Sequence, residues 1–154
     1  MELIKYSVSV LLNLAKYEKT ASAVYDAEDS VSTLVDLMSI YRDKGGVIFT
    51  KICMLLAILG SEGHRKQEMC RDKRLVDKLQ SIHALVLRKH RMQVTRARMV
   101  ARTSLNATLP SRLHGPKVAK VRPAWVLRRD SLHEIEDPLA ALSFLLNTLH
   151  IGPK

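Results

Sequence analysis

The 154-residue chain carries 25 Lys and Arg against 15 Asp and Glu, a formal net charge of +10, and is 47% hydrophobic and 26% charged. That length and apolar content suit a single packed domain and exclude a disordered polymer, while two cysteines, Cys53 and Cys70, are too few for a disulfide scaffold and fit a reducing compartment. Only seven aromatic residues stand beside an abundance of Leu, Ile, Val and Ala, which points to an all-α fold.

The first helix is read from Ile4, Val8, Leu11 and Ala15, spaced by three and four, with Leu3, Val10 and Leu14 widening the stripe into one broad buried face. Lys5, the apolar stretch Val8 to Ala15 and Ala21-Ser22-Ala23 imitate a secretory leader. Asn13, Lys16, Glu18 and Lys19 interrupt that pattern, so the segment is taken as part of the domain. A second helix is expected from Asp29 or Ser30, either able to cap the first-turn amides, with Val31, Leu34, Val35, Leu37, Met38 and Tyr41 inward. Gly45-Gly46 breaks it. Val47 to Leu59 is apolar on nearly every side and predicts a helix buried all round, closed by Gly60 and Gly63. Its longest apolar run, Ile52 to Leu59, is far short of the roughly 18 residues a bilayer span needs, so no membrane partner is expected. A fourth helix, Asp72 to about His90, has Leu75, Leu79, Ile82 and Val86 at helical spacing.

These helices echo one another. Leu11 to Ala15 aligns with Leu55 to Leu59 at an offset of 44, which also brings Ile4 and Val8 onto Ile48 and Ile52; Leu37, Ser39 and Ile40 meet Leu79, Ser81 and Ile82 at an offset of 42. Such periods belong to armadillo and HEAT repeats, with an unrelated helical bundle as the alternative. In a repeat the chain opens inside the last helix of one unit and holds about one and a half more. The first helix then presents an apolar face that a preceding unit would cover, as in part of a longer protein.

Charge is unevenly placed, at net −1 over residues 1–60, +14 over 61–129 and −3 over 130–154. The run Arg88 to Arg102 holds Arg88, Lys89, Arg91, Arg96, Arg98 and Arg102 with no acid, and as an extension of the fourth helix it would spread cations around much of the circumference. It reads either as a binding site for an acidic surface, a phosphate backbone or calmodulin, or as a solvated arm. Nucleic acid is the weaker partner, because no aromatic platform precedes Trp125. Met92-Gln93 with Arg98 and Arg102 falls short of a calmodulin-binding IQ repeat, lacking the Ile and having Ala97 where Arg belongs.

Residues 103–124 read as a basic linker broken by Thr103-Ser104, Pro110, Gly115-Pro116 and Pro123. Trp125, beside Val126 and Leu127, is assigned as a packing anchor. Ser131 and Glu134 have capping-box spacing, and Asp137-Pro138 starts a last helix with Leu139, Leu142, Leu145, Leu146 and Leu149 that stops at Gly152-Pro153. The organisation is therefore helical repeats over 1–87, a basic helix extension and linker over 88–124, and a Trp-containing helical segment over 125–154. Chemistry is absent from the pattern: six histidines without ligand spacing, no CxxC, no HExxH and no phosphate loop, so neither catalysis nor a metal or cofactor is expected. Cys53 reads as inert core filling; Cys70 lies among Arg71, Lys73 and Arg74 with no histidine partner.

Leu11-Leu12-Asn13-Leu14-Ala15-Lys16-Tyr17-Glu18-Lys19-Thr20 with Val24-Tyr25, Gly45-Gly46-Val47-Ile48-Phe49-Thr50-Lys51, Leu55 to Leu59, Trp125 to Asp130 and Asp137-Pro138-Leu139 together resemble the C-terminal region of the abnormal spindle-like microcephaly-associated protein family. The resemblance implies an armadillo-like interaction module of a large cytoskeletal protein of dividing cells, at spindle poles and microtubule minus ends, in the cytoplasm, with the nucleus in interphase left open. Its implied partners are spindle-pole proteins and microtubules. Calmodulin would be served by IQ repeats that this chain lacks. The expected function is a noncatalytic scaffold in spindle organisation and orientation, its basic segment holding an acidic partner such as a tubulin tail; the alternative is a basic nucleic-acid-binding helical module.

Overall fold

The computed structural model describes residues 2–105 and 137–152. Among these residues are seven helices and no strand: α1 (Glu2–Leu14), α2 (Glu18–Asp26), α3 (Ser30–Tyr41), α4 (Gly46–Leu59), α5 (Gly63–Arg71), α6 (Lys73–Leu105) and α7 (Pro138–Leu149). The described residues thus form an all-α, repeat-like helical array. Trp125, the Ser131–Glu134 box and the linker beyond Leu105 lie outside the described residues.

The helices recur as long, short, long. First residues of α1 and α4 are 44 apart, those of α2 and α5 are 45 apart, and those of α3 and α6 are 43 apart. α4 packs on α1 and α3, and α7 packs on α4 and α6 in the same manner. Counted from α1 as the last helix of a unit, two three-helix units follow, α2–α4 and α5–α7, rather than one and a half. Sequence periodicity gives no sign of α2 or α5. Each has nine residues and buries little, Ala21 in α2 and Arg65 with Met69 in α5, so neither writes an apolar stripe.

α4 is the axis of the molecule, with Ile48, Phe49, Ile52 to Ala57 and Leu59 all buried. Such a helix has no polar face because α1, α3 and α7 surround it. Gly60 ends it against α7: a Cβ there would lie 2.5 Å from Leu149 Cδ2 and 3.3 Å from Met69 Sδ. Gly63, expected to help close α4, is instead the first residue of α5. Asp29 does hold the position before α3, at φ 55°, but its side chain makes no cap bond; Ser30 Oγ donates to the Tyr25 carbonyl at 3.0 Å. In α1 the buried side is Val8 and Leu12, with Ala15 just beyond, whereas Leu3, Val10 and Leu14 are exposed. These three point away from α4, so they do not widen the core stripe.

α7 begins as its sequence says, Pro138 at the first turn and Asp137 Oδ1 accepting from Leu139 N–H at 3.0 Å. Leu142, Leu145, Leu146 and Leu149 are buried, and the helix stops at His150 in the left-handed region, with Ile151 N–H donating to Leu146 O at 2.9 Å. Between units, Arg65 is a polar clamp. Its Nε donates to Leu59 O at 2.8 Å and its Nη1 to Glu18 Oε1 at 2.9 Å and Ser22 Oγ at 3.0 Å, joining α5 to α2 and the end of α4. Beside it Tyr25 Oη donates to Glu68 Oε2 at 3.0 Å, and burial followed by that carboxylate pushes the phenol up to about 12. No single helix among the described residues is long and apolar enough to cross a membrane.

Candidate binding surface

α6 is set by Asp72, whose Oδ1 accepts from Arg74 N–H at 2.9 Å and Leu75 N–H at 3.3 Å. Leu75, Leu79, Ile82 and Val86 bury its first half, the counterpart of α3. From Arg88 to Arg102 every residue is exposed, yet the helix continues to Leu105, passing the Thr103-Ser104 pair expected to start the linker. The reason is local: this stretch is rich in Arg, with Lys89, Gln93 and two each of Met and Ala, and has no Gly or Pro, and cations near a helix C-terminus complement its dipole. At 1.5 Å per residue the projecting part is about 27 Å long.

The six predicted cations do not spread evenly around it. Arg88, Arg91, Arg98 and Arg102 follow spacings of three, seven and four and share one line on the helix, about 21 Å from end to end. Thr95, on that same line, donates from Oγ1 to the Arg91 carbonyl at 2.9 Å. Lys89 and Arg96, seven apart, form a second line that faces the α3–α4 turn. There Lys89 Nζ donates to Asp43 Oδ1 at 3.0 Å, while Arg42 Nη2 and Nε hold Asp43 Oδ2 at 2.6 and 2.9 Å. The Arg42 guanidinium, then the Lys89 ammonium, keeps the Asp43 carboxyl below the usual carboxylate range. Lys78 pairs with Asp36 about three turns earlier in α6. Arg88, Arg91, Arg96, Arg98 and Arg102 have no acidic partner among the described residues.

A shallow cleft of about 500 Å³ runs between the arm and the turn, lined by Leu85, Arg88, Lys89, Met92, Gln93 and Arg96 with Arg42 and Asp43 opposite. It joins apolar contact to positive charge. Sequence reasoning found the cations but not Asp43, whose place opposite Lys89, 46 residues away, leaves no trace in local pattern. Cys53 is buried, and desolvation pushes its thiol well up; Cys70 is exposed, with Sγ 3.1 Å from Leu149 O. Among the described residues no group of three or more His, Cys, Asp or Glu could hold a metal ion.

Over 98% of its length the chain aligns with abnormal spindle-like microcephaly-associated proteins, at 42% identity to the Colobus guereza homologue and 40% to those of Homo sapiens and Canis lupus familiaris. It spans about 5% of the length of each of these curated relatives. No family model matches the chain, and no solved structure matches it.

Proposed function

Because the chain belongs, along nearly its whole length, with a short segment of the abnormal spindle-like microcephaly-associated proteins, we propose that it is a noncatalytic protein-interaction module of a spindle-pole, microtubule-associated protein. Its role is in spindle organisation and orientation, in the cytoplasm at the spindle pole, and it uses no cofactor. The names of these relatives supply the spindle. The row Arg88, Arg91, Arg98 and Arg102 is the single observation that carries the partner chemistry: four exposed cations along one side of a helix suit a flexible acidic tail such as tubulin's.

Exposed ion pairs contribute about 0.3–0.5 kcal/mol each, so four amount to roughly 1–2 kcal/mol, or about a tenfold change in affinity. Microtubule pelleting tests this. Replacing the four arginines by Gln should weaken binding about tenfold and flatten its salt dependence, with the circular dichroism spectrum unchanged because all four are exposed. Unchanged pelleting would remove α6 from the interface, and a steep salt dependence on DNA or RNA with preference over microtubules would replace the proposal by a nucleic-acid role.

A further inference from the structure

The interior of the repeat identifies a vacancy at its α1 end. α3 lies against α4 and α6, on the side of α4 that carries Ile48 and Leu55, both buried. Moved back by one unit, Ile48 and Leu55 become Ile4 and Leu11, Ile58 becomes Leu14 and Met69 of α5 becomes Val24. Those four counterparts, with Leu34 and Leu37 of α3, line one open, largely apolar groove of about 570 Å³ between α1, α2 and α3. Where α3 would have its own predecessor, no helix among the described residues fills the groove. Its rim is apolar too: Val10 is 56% exposed, whereas its counterpart Met54 is 3% exposed, and Leu14 is 41% exposed.

We infer that this groove receives one amphipathic helix of α3's kind, laid against α1 and α3 as α3 lies against α4 and α6. Its apolar residues would follow the spacing of Leu34, Val35 and Met38, the buried side of α3. The curated relatives, about twenty times longer than the matched segment, have ample polypeptide to supply it. The helix would meet one charged group in this lining, the Glu28 carboxylate at the α2–α3 end, since Ile4, Leu11, Leu14, Val24, Leu34 and Leu37 carry no charge and Ser7, Thr20, Ser30 and Thr33 are neutral. Burying such a face is the main drive for helix association. This inference concerns the face of the molecule remote from the arginine row and stands whether or not α6 binds microtubules.

The chain itself provides the probe. Residues 30–45, α3 with its following turn, are duplicated and joined ahead of Glu2, which reproduces the connection from α3 into Gly46. The expected result is a Tm higher by about 5 °C or more, slowed amide exchange in α1 and loss of bound hydrophobic dye. Substituting Val10→Asn and Leu14→Asn should leave the unextended chain's Tm within about 2 °C, because both are exposed, yet abolish the gain in the extended one. The inference is overturned if the extension changes neither Tm nor exchange, or if the unextended chain protects α1 by forming a dimer in sedimentation.

Discussion

Arg65 gives the most exacting test of how the two units are joined. Its residue is 5% exposed, and its guanidinium donates to Leu59 O at 2.8 Å, Glu18 at 2.9 Å and Ser22 at 3.0 Å. Arg65→Met keeps the length and apolar stem of the side chain and removes every one of those bonds. The critical loss is at Leu59 O, one of the last carbonyls of α4, which has no onward helical partner. A hydrogen bond from a charged donor contributes about 1.5–3 kcal/mol, and leaving a buried carbonyl unmet costs about 1–3 kcal/mol. These overlap, so the expected loss is about 3 kcal/mol, a fall in Tm of roughly 6–12 °C for a chain of this size.

Urea unfolding followed by circular dichroism measures it, as a lower midpoint at unchanged slope. Glu18→Gln is the control. Glu18 is 69% exposed in its side chain, so it should matter far less than Arg65. Its carboxyl is held below the ordinary range, first by the bond from Arg65. A depressed carboxyl stabilises above its unfolded pKa and loses that effect as pH falls through the lower folded value, so stability should drop on acidification below about pH 4 in the parent and less in Glu18→Gln. A loss under 0.5 kcal/mol in Arg65→Met, or equal effects in the two variants, would refute the clamp.

Gly60→Ala should cost about 1–3 kcal/mol, since its Cβ would meet Leu149 Cδ2 at 2.5 Å with Met69 Sδ and Leu56 O at 3.3 Å behind it; a neutral result in thermal unfolding would place α7 elsewhere. In native protein a thiol reagent should modify Cys70 and leave Cys53 untouched, because Cys53 is fully enclosed in α4 and burial raises its thiol, and both should react in denaturant; two fast thiols in the native state would contradict the packing of α4.

The sequence announces those parts of the fold whose own residues do the packing. α4 and α7 are legible because each buries a large apolar face, and α6 because nothing between Lys73 and Leu105 breaks a helix. α2 and α5 are silent for the opposite reason, each holding its place through side-chain bonds such as Tyr25 to Glu68 that period-counting cannot detect. Leu3, Val10 and Leu14 mislead because an apolar stripe says that a face wants cover and not which neighbour covers it. The arginines of the arm are visible as composition, their alignment as spacing; the pairing of Lys89 with Asp43 and the burial of Arg65 emerge only when distant helices meet.

The repeat also says where the arm came from. α3 has 12 residues and reaches α4 through the four residues Arg42 to Gly45, whereas α6 has 33 residues and reaches α7 only at Pro138. By the 42-residue offset of Leu37 and Leu79, α6 has matched all of α3 by His83, and its last buried residue is Val86. Everything from Arg88 to residue 136 therefore stands where the counterpart turn has four residues. Replacing 88–136 by a flexible six-residue link should preserve the helical core. Its known loss is the Lys89–Asp43 pair, exposed on both sides and worth at most about 1 kcal/mol. Shortening a connection of about 50 residues to six removes about three doublings of loop length, a gain of roughly 1.8 kcal/mol. The trimmed chain should thus unfold at an equal or slightly higher urea midpoint while losing the acidic-partner binding assigned to the arginine row. A fall of several kcal/mol would instead show that Trp125 or its neighbours are built into the core, and the arm would no longer be an insertion on a repeat that stands without it.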